Sequence, residues 1–153
     1  MGTMMRHLAA TAVALVAAGT AALAAAGPAS AANYPYDGQG PAATGCANTQ
    51  HVVQSAPFTN SSGAYGYLKL VYSTACATTW AEVDSDFPYV PSERGAGSAT
   101  IHRTQDGKEY SCTIPSGKTT CHTAMVYDNG LTSYAVGDLD DGFTWRTLRT
   151  AAY

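Results

Sequence analysis

The sequence predicts an all-β fold: a small, disulfide-stapled antiparallel β-sandwich or barrel that follows a cleaved signal peptide. Three observations carry this. Short patterned runs recur at roughly 8–12-residue intervals between Gly, Asn and Asp turns, the spacing of sandwiches and small barrels. Beyond the leader no amphipathic helical period appears. All ten Tyr, both Trp, all three Phe and all four Cys lie after residue 31, in a Thr-rich stretch suited to pleated, half-buried surfaces.

The leader comes first. Met1 to His7 carries Arg6 and no acid, Leu8 to Ala26 is apolar apart from Thr11, Gly19 and Thr20, and Gly27-Pro28-Ala29-Ser30-Ala31 supplies small residues. A basic start, an apolar run and a small-x-small site read as a signal peptide over 1–31, cut after Ala31. An uncleaved anchor fits less well, because an Ala-rich run is only weakly hydrophobic. No Cys follows the cut, so no lipoprotein anchor is expected, and no stable membrane insertion remains after cleavage. The mature 122 residues, 32–153, match the length of one domain, divided into a turn-rich N-terminal wrap (32–64) and a β core (65–153). They carry seven Lys and Arg against eleven Asp and Glu, a formal charge of −4 with no basic stripe. Nucleic acid is therefore not an expected partner.

Within the wrap, Tyr34 to Gly45 is rich in Gly and Pro, Val52-Val53 marks one short strand, and Pro57 to Gly63 reads as a loop. Tyr65 to Tyr72 is the clearest strand, with Leu68, Leu70 and Tyr72 on one face and Tyr67, Lys69 and Val71 on the other. Thr78 to Val83 is its partner. Asp84 to Gly97 is broken by Pro88 and Pro91 and reads as a connection. Strands are then expected at 98–104, 109–114, 121–127, 131–136 and 143–150. Asp106-Gly107 suggests a type I′ hairpin turn, and Pro115-Ser116-Gly117-Lys118 another turn.

An even count of cysteines in an exported chain reads as two disulfides. No pair has the short spacing of a zinc site, and no metal or cofactor is expected. Cys112 and Cys121 flank the Pro115–Lys118 turn on strands expected to be hairpin neighbours, within bonding range. Cys46 is then left for Cys76.

Two blocks of the sequence resemble a known family. Asp37-Gly38-x-x-Pro41-x-x-Thr44-Gly45-Cys46, followed by Leu70-Val71-Tyr72-Ser73-x-x-Cys76-x-x-x-Trp80-Ala81, is similar to the YjfA-like family of small exported proteins of actinomycetes and bacilli. Cys121-x-Thr123-x-Met125-Val126-Tyr127-Asp128 and Tyr134-Ala135-x-Gly137 extend the likeness over nearly all of the mature chain. The family is one of unknown function. The resemblance implies export, a single domain and a Cys46–Cys76 bridge. Glu82 departs from the basic or neutral residue expected after Trp-Ala, so no charge-based feature of that strand is carried over.

Catalytic constellations are absent from the pattern. His51, His102 and His122 coexist with many Ser, but no Gly-x-Ser-x-Gly elbow is present. Gly117-Lys118-Thr119 resembles the end of a phosphate loop, but Cys112 stands where the first Gly is needed. Glu82, Asp84 and Asp86 suit a solvated strand end better than a paired-carboxylate cleft. Asp138 to Gly142 has carboxylates for calcium, but Gly142 falls fifth rather than sixth. Asn60-Ser61-Ser62 marks an exposed loop.

The tyrosines remain, since each joins a flat apolar ring to a hydroxyl. Tyr65, Tyr67 and Tyr89, with Lys118, form the candidate binding surface. The expectation is a secreted, extracellular or cell-wall-associated protein that is not an enzyme and binds envelope glycan or another secreted protein. The alternatives are a diffusible inhibitor or effector of a secreted enzyme, presenting the Pro115–Lys118 loop, and a small hydrolase of unrecognised type.

Overall fold

A computed structural model describes residues 34–153. The predicted leader and its cleavage site lie outside these residues. A 3₁₀ turn at Cys46–Thr49 is followed by β1 (Gln50–Asn60), β2 (Gly63–Ser73), β3 (Thr78–Ser85), β4 (Gly97–Arg103), β5 (Glu109–Thr113), β6 (Thr120–His122), β7 (Val126–Tyr127), β8 (Ser133–Asp140) and β9 (Trp145–Arg149). Two antiparallel sheets form. One has the order β1-β2-β3-β6, with β7 also pairing β3, and the other runs β5-β4-β8-β9. The fold is a sandwich, not a closed barrel.

The core lies between the sheets. Leu68, Leu70, Ala81 and Val83 point in from one sheet and Ala99, Ile101, Ala135 and Leu139 from the other, all fully buried. In β4 and β8 every second residue is buried, as the two-residue side-chain period requires. Close approach is enforced at Gly137, where an added Cβ would meet Leu68 Cδ1 at 2.6 Å.

Strand β3 is buried on both faces near its start. Val71 and Trp80 point away from the main core and form a second cluster with Cys46 and Met125, roofed by the N-terminal segment. The Cys46–Cys76 disulfide fastens that roof to the β2–β3 turn. A buried ionic clasp holds its other end. The side chain of Arg103 is fully buried and uses all five N–H donors, on Asp37 (2.9 and 2.8 Å), Asp106 (2.9 and 2.7 Å) and the carbonyl of Tyr127 (3.1 Å). Tyr34 stacks on Tyr127 and lies over the guanidinium. Burial opposes the charge on Arg103, but the two carboxylates outweigh it and raise its pKa. The same contact holds Asp106 down at about 2.

Four expectations change. Strand β1 runs on through Pro57 to Asn60, where a loop is expected, because it is an edge strand and loses no ladder bond at proline. The β4–β5 turn is not type I′. Only Gly107 has positive φ (69°), and the Asp106 side chain is committed to Arg103. The expected strand at 121–127 is split, because Met125 leaves β3 to exchange backbone bonds with Gln39 and Gly38. Finally, β5 and β6 belong to different sheets. Cys112–Cys121 therefore crosses between the sheets rather than bracing a hairpin.

Candidate functional site

The site is built from three loops at one end of the sandwich. Tyr89 is fixed by two backbone bonds to the Pro115–Lys118 turn: its N–H donates to Lys118 O and its C=O accepts from Gly117 N, each at 2.8 Å. The β8–β9 turn is fixed by Asp141, whose carboxylate accepts the backbone N–H groups of Thr144 and Phe143 at 2.9 Å and Asn60 Nδ2 at 3.2 Å. Those donors hold the Asp141 pKa below its ordinary value. The turn delivers Trp145 opposite Asp140 on the outer face of the sheet, 60% exposed, with Phe143 at the tip 94% exposed. Between Tyr89 and Trp145 opens a cleft of about 270 Å³, floored by Gly97, Ser98, Thr113 and Ile114. It combines two aromatic walls with two hydroxyls, the mix of apolar surface and a few polar groups that small-ligand sites use.

Of the residues marked from sequence, Tyr89 lines this cleft, and Lys118 meets it only through the backbone bond to Tyr89 N. Tyr67 is 41% exposed but lies on the other sheet, opposite Asp84. Tyr65 is not a surface residue. It is 3% exposed and packs against Phe58 in the core. Its place in the strand alternation would point it outward, but β1 pairs Phe58 with Gly66 and Thr59 with Ala64, leaving Tyr65 on a bulge that turns it inward. Trp145 was not singled out from sequence. The signal present was its alternation with Thr147 and Arg149 directly after an Asp-Asp-Gly turn.

The other candidate groups have partners within the fold. Lys69 reaches Glu82 and Asp84, with Thr120 bonding Asp84 on the other side. Burial opposes the lysine charge, but Asp84 and Glu82 raise its pKa. Strand β3 ends at Ser85, so Asp86 does not extend that row. The serine hydroxyls with side-chain partners bond threonine or aspartate, not histidine. His102 faces Glu109 at 3.1 Å. In the 138–142 segment, Asp138 accepts from Ser98 and Thr147 and Asp140 accepts from Gly142 N. Among the described residues no group of three or more His, Cys, Asp or Glu is placed to hold a metal ion.

One buried acid is incompletely paired. Asp128 accepts from Ser133 Oγ at 3.1 Å, while its second oxygen and the hydroxyl of Thr79 have no protein partner. Burial pushes the Asp128 carboxyl up to about 6.

Residues 34–136, from the wrap to the middle of β8, match the family described as "Protein of unknown function (DUF2690)". The chain belongs to this family. It is also 33% identical to a protein of Bacillus subtilis (strain 168) described as "Uncharacterized protein YjfA", over 72% of this chain and 74% of that one. No solved structure matches. Within the DUF2690 match lie both disulfides, the Arg103 clasp, and Tyr89 and the floor of the cleft. Trp145 and β9 follow it.

Proposed function

We propose that this chain is an exported, non-catalytic binding domain that holds an envelope glycan in the Tyr89–Trp145 cleft. The observation that carries the reading is Trp145, a large aromatic ring held 60% exposed by a pinned turn beside a cleft. An indole left 60% exposed forgoes part of a full-burial energy of roughly 2–3 kcal/mol, which a ligand's apolar face can recover. Sugars offer apolar C–H faces and many hydroxyls, matching the aromatic walls and the Ser98 and Thr113 hydroxyls. Two disulfides fit an oxidising compartment. No helix of the described residues is long and apolar enough to cross a membrane.

The inhibitor reading is less well supported. A loop that enters a protease as an extended strand needs free backbone donors and acceptors. Lys118 N–H is bonded to Pro115 O at 2.9 Å and its C=O to Tyr89 N, so only its side chain is available. The test is retention of the oxidised protein on purified cell-wall glycan. Trp145→Ala is expected to lower retention at least tenfold, as loss of an aromatic anchor does. Full retention by that variant would remove the cleft from the argument.

A further inference from the structure

We propose that the outer face of the four-stranded sheet continues the cleft as a track for an extended, uncharged glycan strand. This rests on the glycan reading of the cleft and specifies the ligand: several linked sugar units, laid along the strands from Trp145 towards Tyr134. Asp140 opposite Trp145 and Tyr134 are six residues apart on β8, or about 20 Å at strand rise.

The chemistry of this face selects the occupant. Its residues Ser98, Thr100, Val136 and Asp138 are all partly exposed. Cross-strand pairing arranges them in rows, Thr113–Ser98–Asp138–Thr147 and then Ser111–Thr100–Val136–Arg149. In the first row Ser98 and Thr147 both donate to Asp138. Their protons are committed to the carboxylate, so their lone pairs are left to accept from a sugar hydroxyl or amide N–H. The far end is closed by His102 stacked on Tyr134 at 4.8 Å and 12°, with the Arg149 guanidinium 3.7 Å from the same ring. Glu109 takes His102 from the other side.

The alternatives fit this surface less well. Val136 is the only aliphatic residue in these rows, whereas a protein interface needs an apolar centre. Against the one guanidinium of Arg149 this face sets the carboxylates of Glu109, Asp138 and Asp140, so an anionic polymer would meet net like charge.

The test is calorimetric titration of the protein with N-acetylglucosamine oligomers graded from dimer to hexamer. Affinity is expected to rise at least tenfold from dimer to hexamer. Tyr134→Ala is expected to flatten that rise while leaving dimer affinity within about twofold, and Asp138→Asn, which keeps the side-chain shape but releases both Ser98 and Thr147, to lower hexamer affinity more than dimer affinity. Trp145→Ala is expected to abolish binding at every length. Equal dimer and hexamer affinity, with Trp145→Ala still damaging, would overturn the track and leave the cleft standing. A length dependence untouched by Asp138→Asn and Tyr134→Ala, in variants whose melting is unchanged, would also overturn it, as would preference for a polyanionic glycan. Failure of every oligomer and of purified cell-wall glycan to bind would remove both readings.

Discussion

The two outer faces of the sandwich differ in how the chain treats them. On the five-stranded sheet, one end is roofed by the N-terminal segment over Val71, Trp80 and Met125 and fastened by Cys46–Cys76. The other end closes on itself electrostatically, with Lys69 held between Glu82 and Asp84. On the four-stranded sheet every outer residue of β4 and β8 stays partly exposed, and the face ends at Trp145. The first face is covered or ion-paired at its two ends and leaves Val52 and Tyr67 exposed, while the second carries its oriented hydroxyls and Trp145 open to solvent. Stability and binding should therefore separate by face.

The largest effect is expected at the clasp that secures the roof. Arg103→Met leaves Asp37 and Asp106 without their buried counter-charge and should cost about 3–5 kcal/mol, a large share of a small domain's stability. Urea unfolding measures this, and a loss under 1 kcal/mol would show that the clasp is incidental. The disulfides rank next. With its cysteines 30 positions apart, Cys46–Cys76 should contribute about 3.5 kcal/mol by chain entropy. Cys112–Cys121 spans 9 residues and should contribute about 2.5 kcal/mol. Paired Cys→Ser variants that reversed this order would show that the link between sheets matters more than the roof.

A smaller effect concerns pH. The Asp128 carboxyl is raised in the folded state, from 3.8 to about 6. Its protonated form favours folding, so stability should be greatest at or below its ordinary value and fall as pH rises through about 6. The size is on the order of 2 kcal/mol. Asp106 has the opposite sign: its contribution is present above its ordinary value and is lost as pH falls towards 2. Melting curves of Asp128→Asn should be flat between pH 4 and 7 where the parent declines, and an equal decline in both would clear Asp128. The smallest effect is expected from Lys69→Met, below about 1 kcal/mol, because the pair is only half-buried.

Where the sequence was legible, a single physical rule operated. In β2 and β3, side-chain alternation alone marks the strands and, in β2, the shared face of Leu68 and Leu70, which the fold buries against Ala81 and Val83. It failed where a second constraint intervened. Tyr65 obeys alternation in sequence, but the β2 bulge at Tyr65 itself reverses it. The 121–127 run looks continuous, yet Met125 is drawn away by Gln39, a partner 86 positions earlier that no local pattern reveals. Tyr89 and Lys118 fall in one candidate surface, but only the fold shows that they meet through a backbone bond and that Tyr89 alone of the two lines the cleft. Trp145 was passed over because its importance comes from exposure, which composition does not show.

The most direct test of the difference between the two faces is amide chemical-shift mapping of the oxidised protein with solubilised cell-wall glycan. The expected shifts cluster on Tyr89, Ser98, Asp138 and Trp145 and spare Tyr67, Lys69 and Glu82. Shifts concentrated on β2 and β3 instead would contradict the account, by placing the ligand on the face whose two ends the chain covers or ion-pairs.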